Sequence, residues 1–147
     1  MNTADAPLIV LALEHATHAV ALWIDRSFQD PRLTQAEAHV LAYLALHAPC
    51  SINDLHRSFG HKRSTLTSLL DRLEGRGWTR RERHPTSRRL MLVQLTEAGQ
   101  QVADQVSTAL RSLDKRVQAR AGEADAASFL RVIQLLEEEL THEPAQR

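Results

Sequence analysis

Ten basic side chains lie close together in the middle of this chain. Residues 55–89 contain ten Lys and Arg residues against three acidic ones, whereas the remaining residues contain eight basic and fifteen acidic ones. The formal net charge of +0 therefore hides an uneven distribution. A basic segment between acidic flanks is the electrostatic pattern of a surface that binds a polyanion. A solvated arginine-rich face without a ligand is the alternative that charge alone leaves open.

The composition predicts one helical globular domain, or one subunit of an oligomer. The chain has 147 residues, 43% of them hydrophobic and 24% charged, with five glycines and five prolines. Its single cysteine, Cys50, excludes an intrachain disulfide and fits a reducing compartment. The N-terminal segment includes Glu14 and two histidines, which argues against a signal peptide and a spanning helix. We therefore expect a soluble cytoplasmic protein without a membrane partner.

Capping patterns divide the first part of the chain into helices. A first helix is expected from Pro7 to about Phe28, since proline is favoured in a first helical turn. TQAE at residues 34–37 has the spacing of a capping box, and SIND at residues 51–54 has the same spacing with Asp in place of Glu. Gly60 is expected to end the helix that SIND begins, because a left-handed residue is cheapest there.

The next predicted helix is amphipathic, with a small hydroxylated outward face. Four leucines recur at i, i+3, i+4 and i+7, namely Leu66, Leu69, Leu70 and Leu73. The opposite face has His61, Ser64, Ser68, Asp71 and Gly75, flanked by Thr65, Thr67 and Arg72. Small polar residues let a helix approach the base edges of a major groove and form hydrogen bonds there. An ordinary polar face is the alternative.

The pattern changes from helix to strand after Gly77. WTRRER and RLMLVQL flank the proline-containing turn HPTS, which predicts an arginine-rich β-hairpin. Two short helices followed by a basic hairpin predict a winged helix-turn-helix, mainly α with a small β-hairpin wing. In that fold the second helix enters the major groove, and the hairpin reaches the backbone or the minor groove.

Three segments of the chain resemble successive blocks of the MarR (multiple antibiotic resistance regulator) family. They are LTQAEAHVLAYLALH, SINDLHRSFGHKRSTLTSLLDRLEGRGW and HPTSRRLMLVQLTEAGQQV, which together extend over about residues 33–102. The resemblance implies a homodimeric DNA-binding repressor or activator, often released by small ligands, metals or oxidants. It also implies that the terminal helices form the dimer interface.

The resemblance places several side chains against DNA. Ser64, Thr65 and Ser68 match positions of the recognition helix, with Arg72 at its edge, and Arg89 matches the wing arginine. Together with neighbouring basic and hydroxyl residues, the predicted DNA-binding set is Lys62, Arg63, Ser64, Thr65, Thr67, Ser68, Arg72, Arg81, Arg83, Arg88 and Arg89.

The chain departs from the family pattern at two places. The family wing commonly reads Asp-Pro-x-Asp-Arg-Arg, whereas residues 84–89 read HPTSRR, so no acid is available to brace Arg89. Lys62 replaces the small polar residue expected before the recognition helix, which removes a side-chain cap.

The terminal segments are expected to form a dimer. Residues 1–30 and 97–147 have more apolar helical surface than residues 31–96, the winged helix-turn-helix region, could cover. We therefore expect a two-fold dimer with its recognition helices about one DNA turn (~34 Å) apart, on a pseudo-palindromic operator.

Sensing residues are less well defined by the sequence. Trp23, His15, His18, His39 and Tyr43 could line a small-ligand site, although core, interface or solvated positions are the alternative for each. His15 and His18 could chelate a metal from one helical face, but no cysteine or carboxylate cluster accompanies them, and no metal or cofactor is expected. A thiol sensor at Cys50 is weighed against an inert structural cysteine.

The sequence thus predicts a sequence-specific DNA-binding transcriptional regulator, expected to be a repressor released by a small ligand. Its expected partners are double-stranded DNA, a second copy of the chain and a small-molecule effector. A winged-helix protein-interaction module and a metal- or thiol-sensing regulator are the alternatives. No P-loop, Gly-x-Ser-x-Gly or His-Glu-x-x-His motif occurs, so no enzymatic activity is expected.

Overall fold

The computed structural model of the chain describes residues 8–29, 31–60 and 62–142. This part of the chain is mainly helical with one β-hairpin, as predicted from the sequence. The helices are α1 (Ile9–Ser27), α2 (Gln35–His47), α3 (Ile52–Phe59), α4 (Arg63–Gly75), α5 (Glu97–Ala121) and α6 (Glu123–His142). The strands are β1 (Cys50–Ser51), β2 (Thr79–His84) and β3 (Ser87–Leu95).

The chain divides into two compact units, with the boundary between Ser107 and Thr108 inside α5. The first unit contains α1 to α4, the sheet and the beginning of α5, and the second contains the rest of α5 and α6. The division of the chain into a dimerisation region and a DNA-binding region concerns roles rather than packing, and it stays a prediction. No helix within the residues that the structure describes is both long and apolar enough to cross a membrane.

Both predicted capping boxes are present. The Thr34 hydroxyl accepts a hydrogen bond from the Glu37 amide, and the Glu37 carboxylate accepts one from the Thr34 amide. Ser51 and Asp54 make the same reciprocal pair at the start of α3. Gly60 follows α3 with φ +59°, the left-handed conformation expected there. The predicted beginning of the first helix at Pro7 lies outside the described residues.

The core of the first unit is formed by the leucines of α4 and the apolar face of α2. Leu66, Leu69, Leu70 and Leu73 are at most 1% exposed, which confirms the predicted stripe. They share the core with Val40, Leu41, Leu44, Leu55 and Val93. The buried side of α4 is thus fixed by packing, and its rotation determines which residues face outward.

The sheet has three antiparallel strands in the order β1-β3-β2. The predicted hairpin is formed by β2 and β3, with Thr79 paired to Leu95 and His84 to Ser87. The third strand, β1, pairs Cys50 with Val93 and was not expected from the sequence. Two residues are too few to show the alternation by which strands are identified. β1 attaches the start of α3 to the wing.

Gly99 allows the first turn of α5 to lie directly against Trp78, the residue before β2. A Cβ atom built on Gly99 would lie 1.8 Å from the carbonyl oxygen of Trp78. The Thr96 hydroxyl donates to the carbonyl oxygen of Gly77 and accepts from the Gly99 amide. These contacts fix both ends of the hairpin to the first turn of α5.

Candidate nucleic-acid interface

The outward side of α4 is formed by hydroxyl residues. Ser64, Thr65, Thr67 and Ser68, the hydroxyl face, are all exposed, because the four leucines of the helix point into the core. Lys62 is the N-cap of α4 and makes no side-chain capping bond, as its replacement of a small polar residue predicts. Lys62 and Arg63 are exposed, so two positive charges lie at the N-terminal end of the hydroxyl face.

The wing presents two arginines whose charges are not compensated within the described part of the chain. Arg83 on β2 and Arg89 on β3 are exposed and make no ion pair with any described residue. The turn between the strands is held by the Thr86 amide, which donates to Nδ1 of His84 over 3.3 Å. Arg88 lies in β3, but its side chain is outside the described set. The absence of a brace at Arg89 agrees with the missing wing acids.

Arg81 is held by two acids of α4. Its Nη2 atom lies 2.6 Å from Oδ1 of Asp71, and its Nη1 atom lies 3.2 Å from Oε2 of Glu74. The Arg81 amide also donates to the Glu74 carboxylate. Only 23% of the Arg81 side chain is exposed. This ion-pair cluster joins the wing to α4. Because two carboxylates already neutralise Arg81, it attracts a phosphate less strongly than Arg83 or Arg89.

Glu37 and two arginines form a second charged cluster at the other side of α4. The Glu37 side chain is 5% exposed, with Nε of Arg72 3.5 Å from Oε1 and Nη1 of Arg76 3.6 Å from Oε2. Arg76 also donates to the carbonyl oxygen of Arg32, and its guanidinium lies 3.8 Å above the ring of Trp78. Arg76 is therefore a packing residue, whereas Arg72 is 56% exposed at the edge of α4.

The acids that orient these arginines were not identified as site residues from the sequence. The sequence indicates Glu37 only as a helix cap, places Asp71 on the outward face of α4, and gives Glu74 no role beyond its charge. The capping signal was correct but incomplete, since only the fold brings α2 beside α4. The i, i+3 spacing of Asp71 and Glu74 does indicate that they share a helix face.

The five predicted ligand residues are not all brought together. His39 and Tyr43 lie on α2 with their rings 4.6 Å and 5.2 Å from that of Phe59. Tyr43 also lines an open cavity of about 580 Å³ with His47, Pro49, Cys50, Ser51, Asp54, His84, Leu90 and Leu92. His15, His18 and Trp23 lie on α1 and do not line this cavity. Among the described residues, no group of three His, Cys, Asp or Glu side chains is placed to bind a metal.

Cys50 is buried beneath the wing and is held as a thiol. Burial and the nearby negative charge of Asp54 raise its pKa to about 11. The hydroxyl and the amide of Ser51 lower the pKa of Asp54 by donating to its carboxylate. A protonated thiol is a poor nucleophile, so the structure favours the structural alternative for Cys50 over the sensor.

Comparison with known proteins shows which family this chain resembles. The model of the MarR family matches residues 33–91. The regulator YfiV of Bacillus subtilis is 33% identical over 106 residues, 69% of this chain and 63% of that protein. The repressor NicR of Pseudomonas putida is 28% identical over 103 residues, 69% of this chain and 65% of that protein. The chain thus spans slightly less than two thirds of these relatives.

The fold extends the likeness beyond the matched segment. The S. aureus MepR–DNA complex contains a protein chain that superposes with a TM-score of 0.81, covering 91% of this chain and 99% of that one. Its sequence identity is 15%, so this likeness concerns the fold. The winged helix-turn-helix predicted from the sequence is confirmed. The family model, the related regulators and the shared fold agree that this chain is similar to the regulators of the MarR family.

Proposed function

We propose that this chain is a sequence-specific DNA-binding transcriptional regulator that acts as a homodimeric repressor. One observation is central: the exposed hydroxyl face of α4 lies in the same unit as a wing whose Arg83 and Arg89 make no ion pair with any residue that the structure describes. Hydroxyl side chains can bond to base edges, and uncompensated arginines supply the charge that phosphates require. The hydroxyl face is thus complementary to the base edges of a DNA duplex, and the wing arginines are complementary to its phosphates.

The predicted DNA-binding residues fall into groups with different roles in this proposal. Lys62, Arg63, Arg83, Arg88 and Arg89 bind phosphates or the minor groove, and the hydroxyl face reads bases. Arg81 has a structural role: its ion pairs with Asp71 and Glu74 attach the wing to α4 and neutralise its charge. Names of relatives support the proposal: MepR has been crystallised with DNA, and NicR is a transcriptional repressor.

A second copy of the chain is the proposed partner of the terminal helices. Large apolar side chains are exposed on α1, including Ile9 at 53% and Leu11 at 63%. Others are exposed on α5 and α6, including Val117 at 55%, Phe129 at 56% and Leu140 at 64%. Large apolar side chains exposed in this way on each of these helices favour an interaction site there. A two-fold axis between copies would present two α4 helices to successive major grooves of a pseudo-palindromic operator.

Repression in this proposal follows from occupancy of the operator, and release follows from a change in the spacing of the two DNA-binding heads. A small ligand between α1 and α2 is the proposed cause of that change. Trp23, His15, His18, His39 and Tyr43 are its candidate contacts.

Fluorescence anisotropy against labelled duplexes tests the proposal. The purified protein is titrated into DNA from just upstream of its own gene and into a shuffled duplex of equal composition, at two salt concentrations. We expect at least tenfold tighter binding (~1.4 kcal/mol) to the native duplex. Strong salt dependence is expected on both, since phosphate contacts release counterions.

Two results would contradict this proposal. Equal binding to both duplexes would remove the claim of sequence selectivity at that operator. No binding to either duplex at low salt would favour a protein-interaction module, in which the basic surface meets an acidic protein. Salt dependence alone does not separate these functions, so the shuffled duplex is essential.

A further inference from the structure

Glu37 is a buried acid of α2 whose two carboxylate oxygens have different partners. Oε2 accepts hydrogen bonds from the Thr34 amide over 2.9 Å and from the Thr34 hydroxyl over 3.0 Å. Oε1 is the atom that faces Arg72, with 3.5 Å to Nε. Capping of α2 therefore uses one oxygen of this carboxylate, and the other is directed at an arginine on the DNA-facing helix.

Among the described residues, Glu37 is the one acid that forms an ion pair with Arg72, at one edge of the guanidinium. The contact with Glu37 is made through Nε, and 56% of the arginine side chain is exposed, so much of the guanidinium remains at the surface. A guanidinium is planar with its donors in a fixed fork, so fixing one edge restricts the plane of the others. The Glu37 side chain itself is 5% exposed and cannot reach DNA.

We propose that Glu37 is a positioning residue that orients Arg72 and thereby contributes to the choice of DNA sequence; this rests on the proposed function. An arginine tethered to a buried acid can bond only to acceptors in one direction. The same arginine without its tether can bind any phosphate within reach, which adds affinity for every sequence. Glu37 thus limits non-specific binding to DNA by restricting the orientation of Arg72, without contacting DNA itself.

Replacement of Glu37 by Gln separates this role from helix capping. Glutamine also serves at the third position of a capping box, so Glu37→Gln keeps the cap while it removes the charge facing Arg72. A role limited to packing or capping would weaken binding to all duplexes by the same factor and leave their ratio unchanged. A positioning role changes the ratio.

The experiment measures binding of wild-type and Glu37→Gln protein to the native and shuffled duplexes over a series of salt concentrations. We expect Glu37→Gln protein to bind the shuffled duplex more tightly than the wild type does. The ratio of affinities for the native and shuffled duplexes should fall about fivefold or more, as for loss of one oriented base contact. The slope of log K against log salt should steepen by about one. Asp104→Asn, an exposed acid on α5 that makes no ion pair with a described residue, is the matched control and should change neither quantity.

A double-mutant cycle with Arg72 shows whether Glu37 acts on DNA selectivity through that arginine. In an Arg72→Gln background, Glu37→Gln should change the ratio less than twofold, because the residue that it orients is gone. An undiminished effect there would overturn the proposal, since Glu37 would then act through Arg76 or through the fold. An unchanged ratio and slope for Glu37→Gln alone would also overturn it.

Arg72→Lys tests the same idea if Glu37→Gln fails to fold. It keeps the positive charge on an exposed side chain but loses the planar fork. The proposal requires the ratio to fall while the salt slope stays that of the wild type; a wild-type ratio would overturn it. Failure of the proposed function is distinguishable, because wild-type protein would then show no preference between the duplexes.

Discussion

Gly99 lies at a position with no room for a side chain. Any Cβ there would lie 1.8 Å from the Trp78 carbonyl oxygen, a backbone atom that cannot move without shifting β2. We expect Gly99→Ala to lower the free energy of unfolding by about 1–3 kcal/mol or more, because overpacking forces the backbone apart. Gly75→Ala is the control, since a Cβ on that helical residue meets nothing within 4 Å.

Urea unfolding at one fixed protein concentration measures this difference, since a dimer's stability depends on concentration. We expect Gly75→Ala to be neutral or stabilising, because alanine is favoured over glycine in a helix. Equal stability of Gly99→Ala and the wild type would show that α5 can move away from Trp78.

The Cys50 thiol is expected to be unreactive at neutral pH. Its pKa is raised from 9.0 to about 11 in the folded chain, so it stays protonated where an ordinary cysteine is partly ionised. Neutral alkylating reagents should therefore modify it far more slowly in the native protein than in urea. The raised pKa contributes stability that is fully present below pH 9 and is lost as pH rises through about 11. Equally fast native modification near pH 7.5 would revive the sensor hypothesis.

At the scale of the element, the cap of α3 couples helix stability to one carboxylate. Ser51 donates from its hydroxyl and its amide to Asp54, which lowers the pKa of that carboxyl. This contribution is present above the unfolded pKa and lost as pH falls through the folded value. Ser51→Ala should raise the pKa of Asp54 towards its ordinary value, visible by carboxyl NMR titration.

The same substitution should reduce stability by about 1 kcal/mol, the usual effect of losing an N-cap side chain. Ser64→Ala is the matched control: it removes an exposed serine near the start of α4, where no side-chain cap exists. An unchanged Asp54 pKa in Ser51→Ala would mean that other groups stabilise the carboxylate.

The wing supplies salt-dependent affinity in the proposed function, and Arg89 tests that element. Arg89→Ala should weaken binding to native and shuffled duplexes alike and reduce the salt slope by about one. Arg111→Ala, an exposed arginine of α5, is the control. Ser68→Ala should instead change the preference among duplexes more than the overall affinity. If Arg89→Ala leaves both affinity and slope at the wild-type values, the wing does not contact phosphate.

The elements were largely predictable from sequence because each has a local signal. Leucine spacing predicted α4, reciprocal capping residues predicted the starts of α2 and α3, and two short segments around a proline-containing turn predicted the hairpin. The strand β1 had no such signal, because its two residues form a strand only through pairing with β3. The same reason explains the charged clusters: Glu37 meets Arg72, and Arg81 meets Asp71, only after distant segments have packed. The sequence could therefore name candidate DNA-binding residues on the surface. It could not show which of their charges are neutralised by an acidic partner.

At the scale of the whole molecule, the apolar surface of the terminal helices predicts association. Leu11 on α1 and Phe129 on α6 are 63% and 56% exposed, and Phe129 and Val117 line a cavity of about 420 Å³ within the second unit. Burial of an aromatic or leucine side chain is favourable by about 1.5–3 kcal/mol. In the proposed dimer, each copy would bury several such residues, which would offset the cost of association.

Charged substitutions at the terminal helices should therefore produce monomers. Leu11→Glu and Phe129→Glu, made separately, should lower the sedimentation-equilibrium mass from two chains to one at micromolar concentration, because a carboxylate in the interface loses its hydration. Leu46→Glu is the control, since Leu46 is 66% exposed on α2, outside the terminal helices. The monomers should keep their helical circular dichroism and bind the operator more weakly, as each would engage one half-site. A wild-type chain that sediments as a monomer would contradict the proposed dimer. A Leu46→Glu variant that dissociates like the other two would show that the interface is not confined to the terminal helices.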